Sequence, residues 1–183
     1  MSDDVIGTDL IAGTWTIDPA HSEVGFTVRH LMSKVRGSFS DVAGQITTTG
    51  AEPTASQVDV TIKTASVTTR NDQRDQHLRS SDILGTEEAP EMTFRSTSIS
   101  GGPHGYLITG DITLNGITRS VNLGAEFFGV DKDGYGITRL GAEATTSINR
   151  KDFGIDFNVP LDGGRFLVGD RVDITLTVEA VLA

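Results

Sequence analysis

Apolar and polar residues alternate with period two along most of this chain, and that regularity restricts it to antiparallel strands buried on one side. From Ser22 to Leu31, Val24, Phe26, Val28 and His30 share one face, while Glu23, Gly25, Thr27 and Arg29 share the other. Val58, Val60 and Ile62 alternate with Asp59, Thr61 and Lys63; Val172, Ile174, Leu176, Val178 and Ala180 alternate with Asp173, Thr175, Thr177 and Glu179. Successive side chains of a strand point to opposite faces, so each run offers one face to a core and one to water.

Two turn dipeptides order these strands. Asn115-Gly116 lies between Tyr106–Leu114 and Ile117–Val130, and Asp133-Gly134 lies between that strand and Tyr135–Ile148. Both suit the positive φ angles of a two-residue hairpin turn, which predicts a three-strand meander. Val35–Thr49 changes phase, with Phe39 odd and Val42 and Ile46 even, so a bulge is expected near Asp41–Gly44. Thr14–Ile17 and Met92–Ile99 give two more strands. Asn71–Ser80 reads as helix, with Asn71 or Asp72 as cap, acids early and Arg79 late. Leu78 is its one large apolar residue, so it belongs on the surface or over an opening. The expected fold is all-β: a lipocalin-like closed antiparallel β-barrel of about eight strands with one short surface helix, closure removing exposed sheet edges. Residues 1–12 read as a flexible N-terminal tail and residues 13–183 as one barrel domain.

Charge and composition narrow the function. With 15 Lys and Arg against 25 Asp and Glu, the formal charge of −10 argues against nucleic acid and against electrostatic docking on anionic lipid. There is no cysteine, hence no disulfide, thiolate nucleophile or Cys-based metal centre. The start, Met1-Ser2-Asp3-Asp4, is acidic, and no apolar stretch approaches the roughly 18 residues of a transmembrane segment. The expectation is a cytoplasmic protein, or a periplasmic or secreted one if a leader has been removed.

An eight-strand barrel is either filled by its own side chains or holds one ligand. The inward face of Tyr135–Arg150 reads Gly136, Thr138, Leu140, Ala142, Ala144, Thr146 and Ile148, several of them small. The strand before it contributes Val121, Leu123, Ala125 and Phe127. Small residues leave volume, yet Phe26, Phe39, Phe94, Phe127, Phe153 and Phe157 could fill it. Composition leaves both outcomes open.

Several segments, in order, resemble a known family: Trp15-Thr16-Ile17-Asp18-Pro19-Ala20-His21-Ser22, Phe26-Thr27-Val28-Arg29-His30, Gly37-Ser38-Phe39 and Arg74-Asp75-Gln76-His77-Leu78-Arg79-Ser80. Thr93-Phe94-Arg95-Ser96, Gly110-Asp111-Ile112-Thr113-Leu114-Asn115-Gly116-Ile117-Thr118, Asn149-Arg150-Lys151-Asp152-Phe153-Gly154 and Val168-Gly169-Asp170 follow. Together, from about Gly13 to the C-terminus, they resemble the YceI-like family of polyisoprenoid-binding bacterial proteins. The resemblance implies a lipocalin-like barrel with a long apolar tunnel, a polyprenyl, quinone-like or related amphiphilic ligand, and a homodimer. Many members are exported, whereas no leader is visible in this chain. It also reads Asp82-Ile83-Leu84-Gly85 after the helix, where the family usually carries an aromatic pair.

On this reading the tunnel is lined by Phe26, Val28, Phe39, Val60, Ile62, Phe94, Leu123, Phe127, Leu140, Ala142, Ala144, Ile148, Phe153, Ile174 and Leu176. His30, Arg74, Asp75, His77 and Arg79 are the candidates for meeting a polar head group, since arginine donates in pairs to a carboxylate or diphosphate. A solvated helix with local ion pairs, or a tie between helix and barrel, explains the same cluster. His30 lies on an apolar face and is expected to be a hydrogen-bonded interior histidine. His21 should tie its turn to a neighbour, and His104 reads as a loop residue. No H-x-x-x-H or H-E-x-x-H spacing marks a metal site, no G-x-S-x-G elbow marks a nucleophile, and no glycine-rich phosphate loop is present. Neither a cofactor nor a catalytic residue is assigned. The expected function is non-catalytic carriage of a long apolar amphiphile, a polyisoprenoid or quinone-like lipid. The alternatives are an acid–base enzyme on the same barrel and a filled-core interaction module.

Overall fold

The computed structural model describes residues 10–183. The alternating runs form eleven strands: β1 (Gly13–Ile17), β2 (Glu23–His30), β3 (Ser33–Phe39), β4 (Val42–Thr48), β5 (Gln57–Lys63), β6 (Val67–Thr68), β7 (Glu91–Gly102), β8 (Gly105–Leu114), β9 (Ile117–Lys132), β10 (Thr138–Asn149) and β11 (Val168–Leu182). Helix α1 (Asp72–Arg79) stands between β6 and β7. Eight of the strands close a ring in the order β1-β4-β5-β7-β8-β9-β10-β11, and β1 returns to β11 through Trp15↔Leu182 and Ile17↔Ala180. The described residues form a closed, all-β antiparallel barrel with one α-helix.

The remaining strands prolong the ring at one end. β11 pairs with β1 through its last residues and with β2 through Val172↔Val28 to Thr177↔Glu23, so β1 and β2 are two halves of one edge. Asp18-Pro19 interrupts them: Asp18 accepts from the Ala20 amide and starts a single 3-10 turn, Pro19–His21. β3 likewise continues β4 across Ser40-Asp41, and β6 continues β5 across a second 3-10 turn, Thr64–Ser66. The phase change in Val35–Thr49 is therefore a break between two strands. β6 ends after two residues, and α1 packs against it. Asn71 caps α1 by accepting from the Arg74 amide at 2.9 Å.

The Asn115-Gly116 hairpin has both residues at positive φ, 53° and 74°, as the sequence predicts. The second hairpin forms, but with a wider turn than expected. Gly136, not Gly134, takes the left-handed conformation at φ 78°, and the Gly136 amide donates to the Asp133 carbonyl. The Asp133 carboxylate accepts from the Tyr135 and Ile137 amides, which favours a longer Asx-type turn over the two-residue one. Register shifts without a sequence signal occur between Ser96 and Ser98 on β7, between Val168 and Val172 on β11, and between Gly141 and Ala142 on β10, the last of which turns Phe128 outward. Residues 1–9 of the expected tail lie outside the described residues. Leu10, within the same segment, is core, with 5% exposure.

The core at the ring end is packed around Trp15. Trp15 has no exposed surface, and its indole N–H donates to Thr48 Oγ1 at 2.9 Å. Ile17, Ile46, Val60, Phe94, Leu123, Leu140, Val178 and Ala180 are buried with it. Gly110 leaves room for the Phe94 ring, which a Cβ at that position would meet at 2.5 Å.

Candidate functional site

At the prolonged end the interior is not filled. The inner faces of β2 and β3, the start of β11, helix α1 and the segment 150–168 enclose a cavity of about 340 Å³. That is within the range of small-ligand pockets. Its walls are almost wholly apolar: Val24, Phe26, Val28, Val35 and Phe39 on β2 and β3, Leu78 on α1, then Ile83 and Leu84, and Ile148, Val172 and Ile174 across from them. Gly37 makes this wall workable. A Cβ there would lie 2.4 Å from the Phe26 ring, so glycine lets Phe26 lie across β3 and pack against Phe39, centroids 5.6 Å apart.

Polar groups reach the cavity from one direction of charge. His30, Arg74, His77 and Arg150 line it, and no carboxylate does. Arg74 donates from Nε to Thr69 Oγ1 at 2.7 Å and from Nη2 to the Thr69 carbonyl at 2.9 Å. Asp75, buried one residue on, accepts from the Thr69 amide at 2.8 Å and from Thr69 Oγ1 at 2.5 Å. Two successive helix residues thus grip one threonine, which fixes Arg74 where it lines the cavity. His77 sits edge-on to Phe157, centroids 4.7 Å apart, with Nε2 3.1 Å from Asp82 Oδ2. His30 differs from expectation: its ring has no hydrogen-bond partner among the described residues, because it ends β2 at the rim and not within the core. His21 does tie its turn, with Nδ1 2.6 Å from Asp18 Oδ2, and His104 is exposed in a turn.

Arg150 escaped the sequence reading. It is buried, and its guanidinium donates to the carbonyls of Gly169 (2.9 Å), Ile155 (3.0 Å) and Phe157 (2.8 Å). It pins both arms of the segment 150–168 that walls the cavity. Burial lowers its pKa from the usual arginine value, opposed by the charge of Asp170. The available signal was an arginine opening the Asn149-Arg150-Lys151-Asp152-Phe153-Gly154 segment, in a strand continuation that should be apolar.

The structure divides the fifteen residues expected along a tunnel. Phe26, Val28, Phe39, Ile148 and Ile174 line the cavity. Val60, Ile62, Phe94, Leu123, Leu140, Ala144 and Phe153 are buried in the core, and Phe127 and Leu176 are half-buried against it. Ala142 is half-buried beside Phe127 and Val178 in register, away from the cavity. Of the head-group candidates, His30, Arg74 and His77 face the cavity; Asp75 is taken up by Thr69, and Arg79 lies on α1 outside the lining.

The opposite end carries a different polar cluster. Arg139 donates to Asp18 (2.8 Å), Asp133 (2.8 Å) and Glu179 (3.1 Å), joining the turn after β1, the wide hairpin and β11. The Arg139 guanidinium, with help from His21 and the Ala20 amide, lowers the Asp18 pKa to about 2. Among the described residues no group of three His, Asp or Glu converges as a metal site would require. No helix there is long and apolar enough to cross a membrane.

The sequence profile of the YceI-like domain matches residues 15–180. A protein of Ectopseudomonas mendocina described as a UPF0312 protein is 42% identical over 181 residues, covering 97% of this chain and 92% of its own length. The crystal structure of the Campylobacter jejuni YCEI protein superposes with a TM-score of 0.71 at 31% identity, covering 91% of this chain and 96% of the other. A polyisoprenoid binding domain from Saccharophagus degradans, implicated in plant cell wall breakdown, superposes with a TM-score of 0.69, covering 94% and 99%. At 13% identity that last likeness is one of fold.

Proposed function

This chain belongs to the YceI-like domain family, and from that premise we propose that it binds the hydrocarbon tail of an amphiphilic lipid in its end cavity and does no chemistry on it. The observation that carries this reading is the lining itself: apolar walls with cationic and imidazole groups, and no carboxylate, among the side chains that face it. An apolar chain gains about 0.8 kcal/mol per CH₂ removed from water, so a few isoprene units supply most of their own affinity. Arg74 and His30 at the polar side then favour a head group with acceptor oxygens, a carboxylate, diphosphate or quinone carbonyl. The Saccharophagus domain of the same fold is described as polyisoprenoid-binding, which supports an isoprenoid tail. A nucleophile held by an oriented base, the minimum for covalent catalysis, has no counterpart among the groups lining the cavity.

Protein purified from its native host should release a stoichiometric isoprenoid or similar lipid on organic extraction, identified by mass spectrometry. Clean protein that also fails to take up a fluorescent polyprenyl analogue would overturn the reading. Recovery of the analogue chemically altered would overturn its non-catalytic part.

A further inference from the structure

The rim of the cavity carries an apolar, basic projection that the binding reading leaves unused. The two-residue turn joining β2 to β3 is Leu31-Met32, with side chains 47% and 97% exposed. Leu31 sits at φ 56°, in the left-handed region that favours glycine or asparagine and strains a branched apolar residue. The hairpin at Asn115-Gly116 shows what this same chain uses where a tight turn has only to turn. The β2–β3 tip therefore keeps two large apolar side chains in water, the first of them on strained backbone.

Its neighbour is alike. The Leu31 amide donates to the Leu167 carbonyl at 2.8 Å, tying the tip to a small hairpin in which Leu167 pairs with Val159 and Phe166 with Pro160. Phe166 is 50% exposed and Val159 40% exposed, and Val159 also lines the cavity. The apolar rim and the apolar interior are continuous there.

Charge settles what such a rim fits. The chain carries −10 overall, yet residues 24–40 contain Arg29, Lys34, Arg36 and His30 and no acid. Arg29 and Lys34 face each other on the outer side of β2 and β3, both exposed, and Arg165 is exposed beside Phe166. The carboxylates packed nearby are Asp156 and Asp162 on the segment 150–168 and, on β11, Asp170 and Asp173, the last close enough for the Lys34 charge to act on it. Asp173 is already bonded by Arg171 and Ser147, and Asp170 lies near Arg150 and Lys151. An apolar tip ringed by cations complements an anionic lipid surface: side chains enter the interface while the ring meets head groups. The repulsion expected from net charge acts on the whole molecule; a local positive end can still orient it.

We propose that the β2–β3 tip and the 159–167 hairpin dock this end of the barrel on an anionic bilayer. Docking would place the cavity mouth where amphiphiles reside, and in that respect it rests on the lipid-binding reading. The test is co-sedimentation of the full chain with vesicles of phosphatidylcholine and phosphatidylglycerol, against phosphatidylcholine alone. Pelleting should require the anionic lipid and fall with salt. Lys34→Glu should weaken it by about fivefold or more. Leu31→Asn with Met32→Gly should abolish it while leaving Tm equal or higher, because asparagine relieves the left-handed backbone at position 31. Uptake of a fluorescent polyprenyl analogue in vesicle-free solution should be unchanged in that variant, which separates failure of docking from failure of the cavity reading. No pelleting, or equal pelleting by the Leu31→Asn, Met32→Gly double variant, would overturn the proposal. So would sedimentation velocity showing a dimer that the same variant disperses, which would assign the tip to a second copy of the chain.

Discussion

The two ends of this barrel are built from the same alternating pattern and reach opposite results. At the ring end, β1, β4 and β5 lie against β7 and β11, and Trp15, Ile17, Ile46, Phe94 and Val178 are buried together; the space at that end is a more open, mixed polar hollow between β9 and β10, beside Arg139, Leu140 and Glu179. At the other end the same three edges continue as β2, β3 and β6, but β6 stops after two residues and has no ring neighbour beyond β3. A helix with few apolar residues and an arginine-pinned segment complete the wall in place of strands. Each end seats a phenylalanine over a glycine, Phe94 at Gly110 and Phe26 at Gly37; one ring is sealed into the core and the other forms the lining of a cavity. Hollowness here comes from how the strands are terminated, not from smaller side chains.

The sharpest way to break this comparison is to mutate matching positions. Trp15→Ala should cost about 3–5 kcal/mol by denaturant melts, since it removes a fully buried ring and the hydrogen bond its indole N–H gives to Thr48. Arg150→Ala should cost about 3 kcal/mol, because it leaves buried carbonyls of the cavity wall unpaired. Arg150→Lys should not restore that loss, since an ammonium cannot reproduce the fork that reaches three carbonyls. In contrast, Ile174→Ala should cost about 1 kcal/mol, less than the 2–5 kcal/mol expected for Ile17→Ala, because Ile174 already faces a void. Equal losses at Ile174 and Ile17 would erase the distinction between the ends.

The smallest effect is set by pH at the ring end. Asp18 is held near pKa 2 in the fold, below its ordinary value of 3.8. A depressed carboxylate contributes stability that is complete above its unfolded pKa and is lost as pH falls through the folded one. Tm should therefore decline between about pH 4 and pH 2, and Arg139→Ala should lower the plateau and flatten that decline. Analogue uptake at neutral pH should be the same in both proteins, since Arg139 stands at the far end.

Much of the barrel could be read in the sequence, because period-two alternation and Asn115-Gly116 act locally. That the pieces on either side of Asp18–Ser22, Ser40-Asp41 and Thr64–Ser66 run on along one barrel edge could not, since that depends on which strand lies alongside. The site was half legible for the same reason. Parity placed Phe26, Val28, Ile148 and Ile174 on an inner face but gave no height along the axis. Phe94 and Leu123, on equally apolar faces, thus fell into the ring end. Arg150 was hidden because its carbonyl partners lie on a segment with no regular pattern, and Asp75 read as a surface charge until Thr69 was seen beneath it.

The central claim is that the end cavity takes up a lipid tail, and Ile174→Trp tests it by filling that space from β11. With a fluorescent polyprenyl analogue, the wild-type protein should show saturable binding, and Ile174→Trp should lose it at least about tenfold while Tm holds or rises. Undiminished binding by a folded Ile174→Trp protein would contradict the account.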